Sequence, residues 1–398
     1  MAYFNSTMSN KINMKRLQNN FKPLLFLVLA GFAFTSCNSD DDNSPTSPEP
    51  TSYQVSINAS PSNGGTVSPQ SGEFEKDQVI NITATPVQGW EFKEWQGDVT
   101  GIDNPIQFAV NATKNITAVF ERDLFYLADN GVTIMAPNAA VGGTGVINGI
   151  TYTKRTVDQI TPENAETTCT SGITDMSNLF NAANTFNGDI SHWDVSTVTN
   201  MNNMFQSTDV FNADLSNWDV SSVTNMGTLF NNALVFNSDL SNWDVSSVTV
   251  MNGVFGAATS FNADLSNWDV SNVTTMRSMF NGASSFNSDL HSWDMSSVTN
   301  TGWMFFNASS FNGDITDWNV SNVTAMDFMF NEASNFNRDI SNWNVGNVTN
   351  MLRMFADATS FNQNISGWCV TNLTSEPNDF ASGSPLSSSN KPIWGTCP

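Results

Sequence analysis

The segment "MSNLFNAANTFNGDISHWDVSTVTN" at residues 176–200 returns in register every 25 residues, without insertion or deletion, through 351–375, which makes eight consecutive copies. A fixed period of this length marks a stack of supersecondary units, none of which can bury its apolar face alone. Such a body is chiefly an extended display surface. Function is therefore sought in surfaces and cellular address before catalytic pockets.

Within one copy, Met201, Met204, Phe205 and Thr208 stand at i, i+3, i+4 and i+7, and Met276, Met279, Phe280 and Ala283 repeat the stripe. This spacing predicts a short helix. Leu215, Trp218 and Val220 follow as L-x-x-W-x-V, with Asp219 between two apolar residues, and predict a short strand. Each coil then reads as strand, turn, helix and a return through Phe211 and Asn212. A Phe column (180, 205, 230, 255, 280, 305, 330, 355) and a Trp column (193, 218, 243, 268, 293, 318, 343, 368) supply the expected core. Each buried ring contributes on the order of 2–3 kcal/mol before entropy. Asn187, Asn212, Asn237, Asn262, Asn287, Asn312, Asn337 and Asn362 occupy one position in all eight copies. An amide both donates and accepts, so this column reads as a structural ladder satisfying backbone groups of its own and the neighbouring coil.

Two acidic columns carry the one ambiguous chemical signal. Asp194, Asp219, Asp244, Asp269 and Asp294, continued by Asn319 and Asn344, alternate with inward Trp and Val and should face solvent. Asp189, Asp214, Asp239, Asp264, Asp289, Asp314 and Asp339 form the second column, beside the Asn ladder. Stacked carboxylates about 4.8 Å apart repel by about 1 kcal/mol in water. Either they cap turn N–H groups or they collect extracellular Ca²⁺, the one cofactor the sequence suggests. Turn capping suits the second column; the first is the candidate binding face.

Charge and composition exclude other classes. The chain holds 37 acidic and 14 basic residues; Lys11, Lys15, Arg16 and Lys22 precede Cys37, leaving 10 bases against 37 acids, net −27, after it. That surface repels phosphate backbones and speaks against nucleic-acid binding. The two histidines, His192 and His291, fall in different columns about four coils, or ~20 Å, apart and cannot share a metal or a proton relay. No nucleophile elbow, P-loop or zincin motif appears, so no enzyme and no catalytic residue is expected.

The N-terminus supplies an address. "MKRLQNNFKPLLFLVLAGFAFTSC" joins a basic stretch to an apolar run, Leu24 to Phe34, too short to span a bilayer but suited to a signal-peptide core. Met14 is the better start, and residues 1–36 read as the signal. "FTSC" resembles a bacterial lipobox, which implies lipidation at Cys37, although Phe34 and Thr35 depart from the usual pattern. Residues 37–52, "CNSDDDNSPTSPEPTS", lack large apolar side chains and read as a disordered tether. An acidic run after a lipidated Cys resembles the export signal of Gram-negative surface lipoproteins. This implies a lipid anchor in the bacterial outer membrane with the chain facing the exterior.

Residues 53–122 break into short alternating segments separated by Gly, Pro and Asn, the pattern of a small all-β module. "GGTVSP…ITATPVQGWEFKEWQGDVTG…ITAVFE" resembles the divergent internalin B-repeat module of bacterial surface proteins, which implies a spacer or adhesion module. Trp90 and Trp95 read as core rather than a sugar platform. Residues 123–170 read as an N-terminal cap, with a hairpin turning on Asn148-Gly149. The repeat itself, "DLSNWDVSSVTNMxxMFxxAxxFN", with its lead-in "CTSGITDMSNLF", resembles the BspA-like leucine-rich-repeat surface proteins. The resemblance implies an α/β leucine-rich-repeat-like solenoid over residues 171–375, a C-terminal cap over 376–398, and adhesion to an extracellular protein or matrix ligand. An outer-surface glycan-binding lipoprotein feeding an uptake system is the alternative, which exposed aromatics breaking the repeat would favour; Trp303 is the one seen.

Cys169 precedes Cys369 by eight periods, so the two mark opposite ends of the stack. Cys369 and Cys397 form the expected disulfide across the C-terminal cap, which an extracytoplasmic location permits. Cys169 reads as a buried thiol.

Overall fold

The computed structural model describes residues 49–398; the signal, the lipobox Cys37 and most of the tether lie outside the described residues. The first module is built from β1 (Ser52–Ser60), β2 (Gly65–Ser68), β3 (Gly72–Glu75), β4 (Val79–Pro86), β5 (Trp90–Gly97), β6 (Ile106–Ala109) and β7 (Lys114–Arg122). They form two sheets, ordered β3-β1-β7-β5 and β2-β4-β6, with β1 and β7 parallel. Alternation places Val55, Ile57, Ile80, Ile82, Ile116, Ala118 and Phe120 in the core around Trp95, which is fully buried. Trp90 is half-buried, with the Arg122 guanidinium over its ring at 4.6 Å.

The cap follows. β8 (Tyr126–Leu127) pairs with β9 (Ile134–Met135), and β10 (Thr144–Ile147) with β11 (Ile150–Lys154), which pairs in parallel with β12 (Thr168–Cys169). Asn148 and Gly149 take φ of 51° and 82°, the left-handed pair that a two-residue hairpin needs.

From residue 175 the chain stacks 25-residue coils. Isolated parallel bridges tie Asp175 to Asn200, Asn200 to Asn225, and so on to Ala325 and Asn350. The core columns are almost fully buried. Phe205 stacks on Phe230 at 5.6 Å, and Trp218 on Trp243 at 6.4 Å and 2°. A second Phe column (186, 211, 236 and onward) interleaves with the first, as Phe205 to Phe211 at 4.2 Å shows. Each Trp indole N–H is also used: Nε1 of Trp218 donates to the Ile190 carbonyl at 3.0 Å, and Trp243 to Leu215 at 3.0 Å. Such buried donors must be paired.

The expected α/β solenoid, with one helix and one strand per coil, is wrong. The described residues are nearly all β and turn, in several small sheets and without a closed solenoid. The only helical elements among the described residues are three-residue 3₁₀ turns at Val157–Gln159, Ala165–Thr167 and Ser388–Asn390. The Met201 to Thr208 stripe is a run of turns. Asn203 and Ser207 take φ of 58° and 57°, which breaks any α-helix. The N–H groups of Met201, Asn203, Phe205 and Ser207 donate to Asn225, Gly227, Leu229 and Asn231 of the next coil at 2.8–2.9 Å, while Met204 and Gln206 bond three residues back. An isolated helix of two turns is marginal; a turn ladder instead spends every second N–H on the neighbouring coil.

The L-x-x-W-x-V strand is also absent. Trp218 N donates to Leu215 O, closing a turn where pairing was expected. A Thr ladder carries that side of the coil: Thr224 N and Oγ1 both donate to Thr199 O, at 2.9 and 3.1 Å, and the pattern recurs through Thr349.

Candidate binding face

The Asn column is fully engaged. Asn212 N donates to Asn187 Oδ1 at 2.7 Å, and the same bond recurs at Asn237, Asn262, Asn287, Asn312, Asn337 and Asn362. Each amide oxygen from Asn187 to Asn337 thereby satisfies a backbone donor one coil along.

Both acidic columns bond locally. In the first, Oδ1 of Asp219, Asp244, Asp269 and Asp294 accepts the N–H of the Ser two residues later at 2.9–3.1 Å. The Ser hydroxyl joins at Asp219 and Asp244, each at 2.6 Å. Asn319 holds Ser321 the same way. In the second column, Asp189, Asp214, Asp239, Asp264, Asp314 and Asp339 make the corresponding bond, and Asp289 accepts from Asp314 N at 2.8 Å. These donors hold the carboxyls of Asp244, Asp269 and Asp294 below the ordinary range, the Ser hydroxyl first and the Ser N–H second. The two columns therefore both cap turns, where turn capping was expected chiefly of the second.

Asp194 departs further. It was expected to face solvent with its column, yet it is 3% exposed. The cap closes over the first coil: Ser171 Oγ donates to Asp194 Oδ2 at 2.6 Å, Thr170 Oγ1 to Asp194 O at 2.9 Å, and Ile134 N to His192 O at 2.8 Å. The first-row face thus begins at Asp219. Among the described residues no group of three His, Cys, Asp or Glu side chains is placed to hold a metal ion.

His192 is buried, with Nε2 3.0 Å from Thr168 O, and desolvation lowers its pKa; His291 is exposed. Cys369 and Cys397 are disulfide-bonded across a separation of 28 residues. Cys169 is a buried free thiol beside Ile134 O, and burial raises its pKa.

The repeat breaks at one place. Position 3 of the turn run is left-handed in all eight coils, and its occupants are Asn178, Asn203, Thr228, Gly253, Ser278, Trp303, Phe328 and Arg353. Trp303 (φ 64°) and Phe328 (φ 55°) are bulky residues in a conformation such side chains rarely adopt. Their rings stack at 4.2 Å, and Phe306 packs on Trp303 at 4.8 Å. Arg277 reaches Asp327 at 3.2 Å, two coils away, over Gly302, where a Cβ would lie 2.4 Å from the guanidinium. Trp303 Nε1 donates to Asp327 Oδ2 at 3.0 Å. Sequence reading found Trp303 but missed Phe306 and Phe328; the signal was Phe306 in a column that other coils fill mainly with Asn, and Phe328 directly after Trp303 in the column of Asn178 and Asn203.

Two family models match. A divergent InlB B-repeat domain matches residues 53–124, and the family described as "Mycoplasma protein of unknown function, DUF285" matches 150–255, 214–309 and 288–392. No curated protein and no solved structure gives a significant match. The pairing of these modules fits a surface repeat protein. Because the three repeat matches together span more than half of the chain, it belongs to the DUF285 family.

Proposed function

We propose that this chain is a non-catalytic, surface-displayed binding protein. In this reading, a lipid on Cys37 anchors it to the outer membrane with the chain facing the exterior. Residues 37–52 are the tether and the B-repeat module is a spacer. The stack of coils binds an extracellular protein or matrix ligand, in keeping with the resemblance of its repeats to BspA-like surface proteins. One observation carries the reading. The repeated Asp, Asn and Thr side chains bond their own or the adjoining coil throughout the stack, so the repeat builds an extended scaffold whose surface is left for partners.

The anchor is tested by Cys37→Ala in intact cells. Loss of palmitate labelling and release from the outer membrane are expected; unchanged fractionation would refute it. Binding is tested by presenting the full chain to immobilised matrix proteins with and without millimolar Ca²⁺, and failure to bind any of them would count against the protein-ligand reading. The glycan-binding alternative draws support from a specific feature, the aromatic cluster around Trp303.

A further inference from the structure

The Trp303 cluster is not explained by the requirements of the coil. Six of the eight copies close the same left-handed turn without an aromatic side chain: Asn178, Asn203 and Gly253 do so at little conformational cost, and Thr228, Ser278 and Arg353 share the backbone strain of Trp303 and Phe328. Where small polar residues stand, they link along the column: Asn203 Nδ2 donates to Asn178 Oδ1 at 3.0 Å, and Thr228 Oγ1 to Asn203 Oδ1. Trp303 and Phe328 give up that ladder and accept an unfavourable backbone region.

The surroundings are built to fix the rings. Asp327, 7% exposed, holds the Trp303 indole N–H and the Arg277 guanidinium together. Gly302 leaves the gap through which that ion pair passes. The Arg277 carbon Cζ lies 6.0 Å from the Trp303 ring centroid, so Trp303 sits between Arg277 and Phe328. Beyond Phe328, the next occupant of the column, Arg353, is drawn to Asp379 at 2.8 Å. Two of the three arginines in the repeats are therefore gathered here, each matched by a carboxylate.

We infer that this cluster is a binding subsite for a neutral polysaccharide. Three features favour that occupant. The three rings are half-buried and packed on one another, so they present a fixed apolar strip of ring edges to the C–H face of a sugar and do not project as knobs into a partner's pocket. Each guanidinium is paired with a carboxylate, so donors and acceptors stand side by side with no net charge, which suits hydroxyl groups that both donate and accept. The acidic body around the site repels polyanions, which leaves neutral chains as the compatible class. The rings are preorganised, so little ordering opposes binding.

The inference rests on the surface-display reading and is tested apart from it. Full-length protein in detergent is run by affinity electrophoresis and calorimetry against a soluble β-glucan, an α-glucan, a mannan and a xylan, with heparin as polyanion control and the matrix proteins in parallel. The comparison is Trp303→Asn/Phe328→Asn, which restores the residue of Asn178 and Asn203 and should melt no lower than the parent. At least one neutral polysaccharide should bind, with affinity falling about ten-fold or more in the double variant. Four results overturn the inference: no polysaccharide binding, polysaccharide binding indifferent to the variant, binding of heparin alone, or a matrix protein whose binding alone depends on the two rings. Matrix-protein binding that survives in the variant leaves the display reading standing while the polysaccharide data decide the subsite.

Discussion

Replacing Asp219, Asp244 and Asp269 together separates turn capping from ligand capture. Each Oδ1 accepts the N–H of the Ser two residues on, at 3.0–3.1 Å. Asn319 makes the same turn with an amide oxygen, accepting from Ser321 N at 3.2 Å and Oγ at 2.7 Å. Three Asp→Asn changes should therefore alter stability at neutral pH by less than about 0.5 kcal/mol per site. Three Asp→Ala changes should cost about 0.5–1 kcal/mol per site, the low end because the carboxylates are exposed and water competes. For a body of this size the Ala variant should melt roughly 3–10 °C below the Asn variant. Relief of carboxylate repulsion acts equally in both, so their difference isolates the turn.

The pH dependence has a definite sign. Hydrogen bonds lower the folded pKa of Asp244 and Asp269, so their contribution is present above the unfolded value near 4 and is lost as pH falls through the folded one. Wild type should lose this share below about pH 4, whereas the Asn variant has none to lose. Circular-dichroism melts at pH 7 and pH 3 read both effects. An Asn variant that melts as low as the Ala variant, or an Ala variant that melts with wild type, would refute the capping role.

Three further outcomes follow from the packing. Trp268→Ala removes a 2%-exposed ring stacked on Trp243 and should cost about 3–5 kcal/mol, while Trp268→Phe, which shrinks the ring and leaves the Leu240 carbonyl its bond from Trp243 N, should cost about 1–3 kcal/mol; denaturant melts compare them. Reduction of Cys369–Cys397 releases a 28-residue closure worth about 3–4 kcal/mol, so hydrogen exchange should accelerate first in the last coil and cap and leave the middle coils protected. Cys169 should resist thiol reagents in the native chain and react after unfolding, because burial disfavours its thiolate; rapid native labelling would contradict its placement.

Much of the fold was legible because the 25-residue period is fixed, which places equivalent side chains over one another and identifies the Phe, Trp and Asn columns without knowledge of the backbone. The secondary structure was not legible for a specific reason. Residues 201–208 are buried at positions 1, 4, 5 and 8, a spacing that consecutive four-residue turns share with a helix over so short a stretch. What signal there was lay in the third position, where Asn178, Asn203 and Gly253 stand, residues that tolerate positive φ. The Trp218-Asp219-Val220 alternation imitated a strand because an Asx turn also points its Asp outward. Asp194 could not be separated from its column, since its burial comes from a cap whose path the repeat does not encode. The aromatic cluster was half legible: Trp303 stood out, but Phe306 and Phe328 lay beside a Phe column and merged with it.

Deletion of one period tests most directly the claim that the coil, registered by bonds to its neighbours, is the structural unit. Removing residues 251–275 joins Val250 to Met276 and restores every ladder with its 25-residue spacing, including the Asn, Thr and Phe columns. Removing residues 251–274 instead offsets all later columns by one residue. In thermal melts the 25-residue deletion should unfold cooperatively close to the parent, and the 24-residue deletion should lose that transition or melt far lower. Equal stability of the two deletions, or collapse of the 25-residue one, would contradict the stacking described above.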